Sequence, residues 1–365
     1  MAMISRVPGD ENLYVGGVWA LDPESQRRQL QPHTITHVLS LFKYSFDNEG
    51  EEAKSYKRMS IDIDDDPDSD LLVHFPSVVR FIENALHPPS SGVVDADRSE
   101  DTASPRGVFV HCAMGISRSV TCVMAYLLYK YPHRYGGKQQ VSPPSAASAA
   151  QRRQTSSDAV TKALEWVRQG RASAAPNEGF IDQLQLWWEM GCPADHDKAV
   201  EHHPVYQKWL YEIMLEESRD CNMAPDTKYI RFEDEVGQGQ EATATEADKE
   251  DGKEVRCKKC RRVLATPKFV LSHGPESSNC AHIFIDTLSW MRPVLEDGAL
   301  EGRLTCPNAK CGATVGRYAW QGLRCTCNEW VVPAFSLQRS RVDEVAPRHM
   351  DATRVRVPPV RNGNL

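Results

Sequence analysis

The sequence predicts an α/β domain with a central, largely parallel sheet flanked by helices, followed by a small cysteine-rich module held by bound metal. Three observations predict it. Short β-type runs alternate with helical stripes over residues 4–192, the order that builds a parallel sheet with crossover helices. A β-type run, a Gly-containing loop and an apolar helix meet in "VFVHCAMGISRSV" at 108–120. Seven of the 11 cysteines crowd between 257 and 327, mostly as close pairs. A chain of 365 residues has room for two domains.

The elements follow in order. "NLYVGGVWAL" (12–21) and "THVLSLF" (36–42) read as strands, with a helix over 23–31 between them. "YKRMSIDIDD" (56–65) reads as another strand, ending in an acidic turn. Apolar residues at 71, 72, 75, 78, 79, 82 and 86 make the next stretch a helix. Residues 88–107 are a polar, Pro-bearing insertion expected as a surface loop. Strand 108–110, the loop and helix 119–131 come next. The Gly/Ser/Ala/Gln-rich insertion 136–157 is expected to be disordered. Helices over 158–169 and 177–191 complete a first domain spanning 1–192. Residues 193–255 then hold a helix, "VYQKWLYEIMLEE", and the acidic linker 233–254 with almost nothing to bury. Tyr206, Trp209, Leu210, Ile213 and Met214 share one face of that helix, a face suited to dock on a core. The cysteine-rich module spans 256–346 and a flexible tail 347–365.

The net charge of −7 conceals an asymmetry, because from Cys257 onward 16 Lys and Arg face 9 Asp and Glu, which leaves −14 on the preceding residues. A basic tail suits either a solvated surface or a negatively charged partner such as nucleic acid. The start lacks an apolar signal region, and no run of about 18 apolar residues occurs. The expectation is a soluble intracellular protein, in which paired cysteines favour metal over disulfides.

Cys112 stands just before a helix N-terminus, where unpaired N–H groups and the positive end of the dipole favour a thiolate. Arg118 is expected to add a full positive charge. The loop 113–118 can aim successive N–H groups at one point and so cradle an anion, while the Arg118 fork holds two phosphate oxygens. A nucleophile in an anion cradle points to attack on phosphorus.

The run His111-Cys112-Ala113-Met114-Gly115-Ile116-Ser117-Arg118-Ser119 resembles the phosphate loop of the cysteine-dependent protein tyrosine phosphatase superfamily, and its Arg-Ser ending resembles the dual-specificity branch. The stretches at 12–42 and "NEGFIDQLQLW" extend the resemblance over roughly residues 4–192, with Asn177 and Phe180 expected as structural. The resemblance implies a phosphocysteine mechanism that uses no metal and a shallow pocket. Cys112 is its nucleophile, and Arg118 and the amides of 113–117 bind phosphate. Ser119 assists the departing thiolate and His111 orients the loop. The loop interior lacks lysine, which favours phosphoprotein over phosphoinositide substrates. In the family the general acid lies five residues before the Asp or Asn that opens the next helix. Asp70 matches that opening, which implies Asp65, with Asp64 and Asp66 as alternatives one residue away. Cys122 is either a buried helix thiol or a resolving partner for oxidised Cys112.

Cys257, Cys260, His273, Cys280, Cys306, Cys311, Cys325 and Cys327 amount to eight donors, enough for two closed tetrahedral zinc sites. Metal is expected to drive much of the module's folding. A simple division places the first four at one ion and the last four at the other; an interleaved set stays open, with His282 a rival to His273. Trp290, Trp320 and Trp330 suit the module's core or an RNA-facing surface. A dual-specificity phosphatase domain followed by this pattern and "WVVPAFSLQRSRVDE" resembles the dual-specificity phosphatases with a zinc-binding C-terminal domain, found from fungi to animals. "CPNAKC" departs from that family's closer cysteine spacing. The resemblance implies phosphoprotein substrates and a role in late assembly of the large ribosomal subunit. Its partners there are the pre-ribosomal particle, ribosomal RNA and stalk-base proteins, and its location is the nucleus and cytoplasm. It also implies that this role is separable from catalysis.

Overall fold

A computed structural model describes residues 3–22, 30, 33–43, 56–88, 106–135, 149–236, 253–274 and 280–346. The chain forms two compact units, Met1–Tyr206 and Gln207–Leu365.

In the first unit, β1 (Ile4–Arg6), β2 (Leu13–Gly17), β3 (Ile35–Ser40), β4 (Lys57–Ser60) and β5 (Gly107–Cys112) form one sheet in the order β1-β2-β5-β3-β4. Only the β1–β2 pair is antiparallel. β5 lies at the centre, every one of its residues is buried, and its run of Val and Phe suits a strand covered on both faces. Helices α1 (Phe75–Leu86), α2 (Arg118–Lys130), α3 (Ala149–Gly170) and α4 (Glu178–Glu189) complete the unit. α1 packs on β5 and on α2, and α3 and α4 pack on α2. α2 is buried from Arg118 to Leu128, which suits its run of apolar residues after Thr121. Behind it, Phe75 meets Trp187 edge-on at 5.6 Å, and the Trp187 indole N–H donates to the Ala125 carbonyl at 3.1 Å. A separate cluster of Ile4, Tyr14, Ala20, Leu21, Leu30, Ile35, Val38 and Phe109 completes the packing around the sheet.

α3 starts at Ala149, not at 158, so the second half of the insertion expected to be disordered is helical. Alanine, glutamine and arginine favour the helix there. Ser156 joins it to α4, its hydroxyl donating to Glu189 at 3.1 Å. The strand expected over 56–65 stops at Ser60; the Ile61 N–H still donates to Ser40 O at 2.9 Å, and 62–64 leave the sheet. The expected helix at 23–31 falls almost wholly outside the described residues, as do 89–105 of the first insertion, 136–148 and the tail from 347.

The second unit starts earlier than the expected 256. The helix α5 (Pro204–Cys221) contains the boundary, and Tyr211 and Leu215 already pack against the second core, as do the buried Ile230 and Phe232. The linker expected from 233 likewise begins as a short helix, α6 (Glu233–Val236). Its Asp234 accepts from the Ser289 N–H at 2.8 Å and hydroxyl at 2.6 Å, and Glu235 pairs with Arg292 at 2.7 Å. Hydrogen bonds, not apolar burial, hold this acidic segment, so its composition concealed it.

Beyond it, β6 (Glu254–Cys257), β7 (Val263–Ala265) and β15 (Val342–Val345) form a three-stranded sheet in the order β15-β6-β7. A five-stranded sheet runs β10-β11-β14-β9-β8, built from β8 (Val270–Leu271), β9 (His282–Ile285), β10 (Glu301–Thr305), β11 (Thr314–Ala319) and β14 (Ala334–Gln338). β12 (Leu323–Arg324) and β13 (Trp330–Val331) pair as a small ribbon. The module has an apolar core beside its cysteines: Trp320, Phe335, Tyr318, Leu337, Ile283 and Met291 are all buried in one cluster. Trp320 is core and Trp290 packs beside it, whereas Trp330 is 57% exposed.

Phe75→Ala opens a cavity beneath Trp187. It is expected to destabilise the first unit by about 3–5 kcal/mol, measured as a lowered urea midpoint by circular dichroism.

Candidate active site

Cys112 is the last residue of β5, at the carboxyl end of the parallel strands, where α/β sheets place their ligands. The loop 113–117 turns there into α2. Its conformation is explained by the fate of its carbonyls. Ala113 O accepts from the Val18 N–H at 3.2 Å, and Ile116 O from the Ala175 N–H at 2.9 Å. Met114 O and Gly115 O accept from the Arg171 guanidinium, at 3.0 and 2.5 Å. Ser117 O accepts from Thr121, by the backbone at 2.9 Å and the hydroxyl at 3.0 Å. Every carbonyl of the loop is thus drawn outward, and a peptide with its oxygen turned out has its N–H turned in.

The inward side surrounds the Cys112 sulfur. The Gly115 N–H donates to Sγ at 3.2 Å and the Ser119 hydroxyl at 3.4 Å. Burial is the largest influence on this thiol and opposes ionisation, yet hydrogen bonds from Ser119, Gly115 and Ile116 together outweigh it and lower its pKa. The sequence assigns this lowering jointly to N–H donors at the helix start and to Arg118; the donors in the structure are the Ser119 hydroxyl and the N–H groups of Gly115, Ile116 and Ser119. Gly115 has φ +71°, and a Cβ there would lie 2.3 Å from the Gly16 backbone, so both the turn and the close approach of β2 require glycine.

Arg118 is buried, with Nη1 donating to Leu41 O at 3.1 Å and Ile63 O at 2.8 Å. Those bonds orient the fork and leave Nε without a hydrogen-bond partner. The nearest carboxylate is Asp65, with Oδ2 at 3.5 Å from Nε, and Asp65 Oδ1 accepts from Asn177 Nδ2 at 3.1 Å. Among the three candidate carboxylates, Asp65 reaches the loop's arginine. Asp66 caps its own turn by accepting from the Asp68 N–H at 2.9 Å, and Asp64 is exposed. His111 is fully buried, shares a 2.6 Å hydrogen bond between Nε2 and the Ser40 hydroxyl, and has its pKa pushed down to about 4, chiefly by burial. A neutral imidazole there joins the end of β5 to the end of β3. Cys122 is fully buried within α2, and burial pushes its thiol well above the ordinary range.

Three positioning residues escaped the sequence reading or were undervalued by it. Arg171 donates to carbonyls 56 and 57 residues away, a relation no local pattern reveals. Gln183 in α4 is buried, accepts from the Leu71 and Leu72 N–H groups, each at 2.9 Å, and donates to Ser69 O at 2.8 Å. Asn177 caps α4 through the Phe180 N–H at 2.9 Å, holds Asp65, and donates its own N–H to the Ser117 hydroxyl at 3.1 Å. Gly179 lets the acidic turn press onto α4, since a Cβ there would lie 2.0 Å from Pro67 O. Asp70, which opens the segment before α1, accepts from the Val73 N–H at 3.2 Å and the Tyr206 hydroxyl at 2.6 Å.

Residues 19–135 match the family described as dual specificity phosphatase, catalytic domain. The tyrosine-protein phosphatase YVH1 of Saccharomyces cerevisiae is 31% identical over 93% of this chain and 91% of its own. The chain belongs to the dual-specificity protein phosphatases of the Yvh1 type. The dual specificity protein phosphatase 12 of Homo sapiens is 27% identical over 94% of this chain and 88% of its own. The crystal structure of the Yvh1 phosphatase domain from Chaetomium thermophilum is 43% identical, covers 53% of this chain and 99% of that one, and has a TM-score of 0.43.

In the second unit the eight expected donors gather into two groups of four, but not by the simple division. Cys257, Cys260, Cys306 and Cys311 form one group; His273, Cys280, Cys325 and Cys327 form the other. Within each, the donor atoms lie within 4.8 Å of one another. The sulfurs of Cys260 and Cys306 are 3.5 Å apart, and those of Cys257 and Cys311 3.9 Å. Two thiolates about 2.3 Å from a tetrahedral ion stand roughly 3.8 Å apart, so the donors fit one metal ion each. His273, not His282, joins the second group, with Nε2 3.1 Å from Cys325 Sγ. The division fails because β9 and the β12–β13 ribbon bring distant cysteines together. Among the described residues no helix is long and apolar enough to cross a membrane.

Alkylation of Cys112 by iodoacetamide is expected to stay fast near neutral pH and to slow only as the thiolate gains its proton. Ser119→Ala removes a donor to Sγ, so its rate–pH profile should move to higher pH.

Proposed function

We propose that this chain hydrolyses phosphotyrosine and phosphoserine/threonine in phosphoproteins through a phosphocysteine intermediate. The observation that carries the reading is the loop whose carbonyls all point outward while Gly115 and Ser119 donate to the Cys112 sulfur. Cys112 Sγ attacks phosphorus in line, forming an S–P bond as the P–O bond to the substrate breaks. The amides of Ala113, Met114, Gly115, Ile116 and Ser117 and the Arg118 fork hold the equatorial oxygens. Asp65 gives its proton to the leaving oxygen, which departs as a hydroxyl. Ionised Asp65 then takes a proton from water as the water oxygen attacks phosphorus, and the cysteine leaves as thiolate, stabilised by the Ser119 hydroxyl. His111 and Arg171 hold the loop. The steps draw on side chains and backbone alone.

In the second unit we assign zinc to the two donor groups as a structural ion. The donor sets, four Cys and Cys3His, suit zinc, and their fourfold donors leave no open position for chemistry. By its resemblance to the family, this unit acts in late assembly of the large ribosomal subunit, in the nucleus and cytoplasm, on the pre-ribosomal particle with its RNA and stalk-base proteins. The surplus of Lys and Arg after Cys257 and the exposed Trp330 support an RNA-facing role. On an alternative reading the assembly role is the primary one and catalysis is secondary. Complementation separates the two: rescue of ribosome maturation by Cys112→Ser but not by Cys325→Ser with Cys327→Ser favours the assembly role.

Cys112→Ser is expected to abolish phosphate release. Asp65→Asn should lower turnover of phosphoserine peptides about 100-fold or more and that of para-nitrophenyl phosphate far less, because the phenolate needs less proton assistance. Turnover by Cys112→Ser at the wild-type rate would overturn the mechanism. Elemental analysis is expected to find two zinc ions per chain, and Cys306→Ser should retain at most one.

A further inference from the structure

The large apolar side chains exposed by the first unit are not scattered. Among its described residues they are Met3 at 41%, Trp19 at 64% and Met114 at 56% exposed. The backbone ties all three to one place. The Gly17 N–H donates to Met3 O at 3.1 Å, and the next N–H, of Val18, donates to Ala113 O at 3.2 Å. Trp19 follows Val18, and Met114 follows Ala113. The glycine pair permits this approach: a Cβ on Gly16 would lie 2.2 Å from Met3 O, and one on Gly17 would lie 3.2 Å from Met114 O. Isolated exposed apolar residues need no explanation, whereas a cluster at the edge of a site marks contact with a partner.

We propose that Met3, Trp19 and Met114 form an apolar shelf that receives an aliphatic or aromatic side chain next to the phosphoresidue of a phosphopeptide substrate. The shelf rests on the reading of loop 112–118 as the phosphate site. Met114 links the two: Arg171 holds its carbonyl at 3.0 Å as part of the loop, while its side chain faces solvent. A phosphoryl group seated on the loop brings the substrate's main chain across Met114. The neighbouring side chain then leaves water against Met114 and Trp19, which favours binding in proportion to the apolar area covered. The acidic turn of Asp64, Asp65 and Asp66, all exposed, supplies a wall of different character. The site is therefore apolar toward the end of β2 and acidic at the turn after β4. A substrate peptide is the occupant, rather than a second copy of the chain, because one of the three side chains belongs to the catalytic loop.

The test uses the full chain and phosphopeptides that differ only in the residues on either side of the phosphoresidue: Leu, Phe, Ser or Asp. Para-nitrophenyl phosphate, which has no flanking residue, is the control. The wild-type kcat/KM is expected to be about fivefold to tenfold higher with Leu or Phe than with Ser or Asp, the difference lying in KM. Trp19→Ala should erase the preference and Trp19→Phe keep it, both with unchanged turnover of the small ester. A flat wild-type profile, or a preference that survives Trp19→Ala, would overturn the shelf. Loss of small-ester turnover in Cys112→Ser reports separately on the phosphate site, so the two readings fail in different assays.

Discussion

The first unit depends on holding five consecutive carbonyls away from a thiol. A peptide chain left to itself scatters its dipoles, and a loop that gathers N–H groups around one point accumulates like partial charges. The cost is met from outside the loop. Val18 and Ala175 supply backbone donors, Thr121 supplies two, and Arg171 supplies a charged fork to the two carbonyls at the turn. A charged donor suits Met114 O and Gly115 O, because charge-assisted hydrogen bonds are the stronger kind. The lowered pKa of Cys112 rests first on the Ser119 hydroxyl of α2 and then in part on this framework, since the Gly115 and Ile116 N–H groups point to the sulfur only while the carbonyls are held out.

The same framework holds the acidic turn beside the loop. The acidic turn and the phosphate loop come from different strand ends, and α4 joins them. Asn177 reaches Asp65 with its side chain and Ser117 with its backbone, while Gln183 fixes the descent of the turn into α1 through three hydrogen bonds. Gly179 removes the side chain that would hold the turn off. Asp65 and the loop of Cys112 therefore share one support, and a shift of α4 moves the turn and the loop together.

The sheet, the loop and its cysteine were legible because each has a local signature: a buried β run, a glycine turn, an arginine at the helix start. The choice of Asp65 among three adjacent aspartates rested on family spacing, because the partners of Asp65 in the structure, Arg118 and Asn177, are distant in sequence. Arg171 was illegible, because a lone arginine after a helix looks like any solvated residue until its carbonyl partners are known. Composition misled at two places. Residues 149–157 looked disordered but hold alanine and arginine in helix, and the acidic start of the linker is retained by Ser289 and Arg292. Pairing of the cysteines by order of appearance failed for a different reason. Ligand sharing is a property of sheet topology, and the topology was not readable from spacing.

That topology explains why the eight donors are shared as they are. Sites filled by neighbours in sequence would close only short loops and leave the rest of the unit to its apolar core. In the first group Cys260 meets Cys306 across 46 residues, and in the second His273 meets Cys325 across 52. Closing a loop costs more entropy as it lengthens, by about 0.6 kcal/mol per doubling, so an ion bound at such a group restrains more of the unfolded chain than one bound within a single knuckle. The two closed segments also overlap, because 273–325 begins inside 260–306 and ends beyond it. An ion at either group therefore constrains the segment on which the other group forms. Metal binding at one group should then favour assembly of the other, which makes the two groups and the core between them a single folding unit, not a pair of independent fingers.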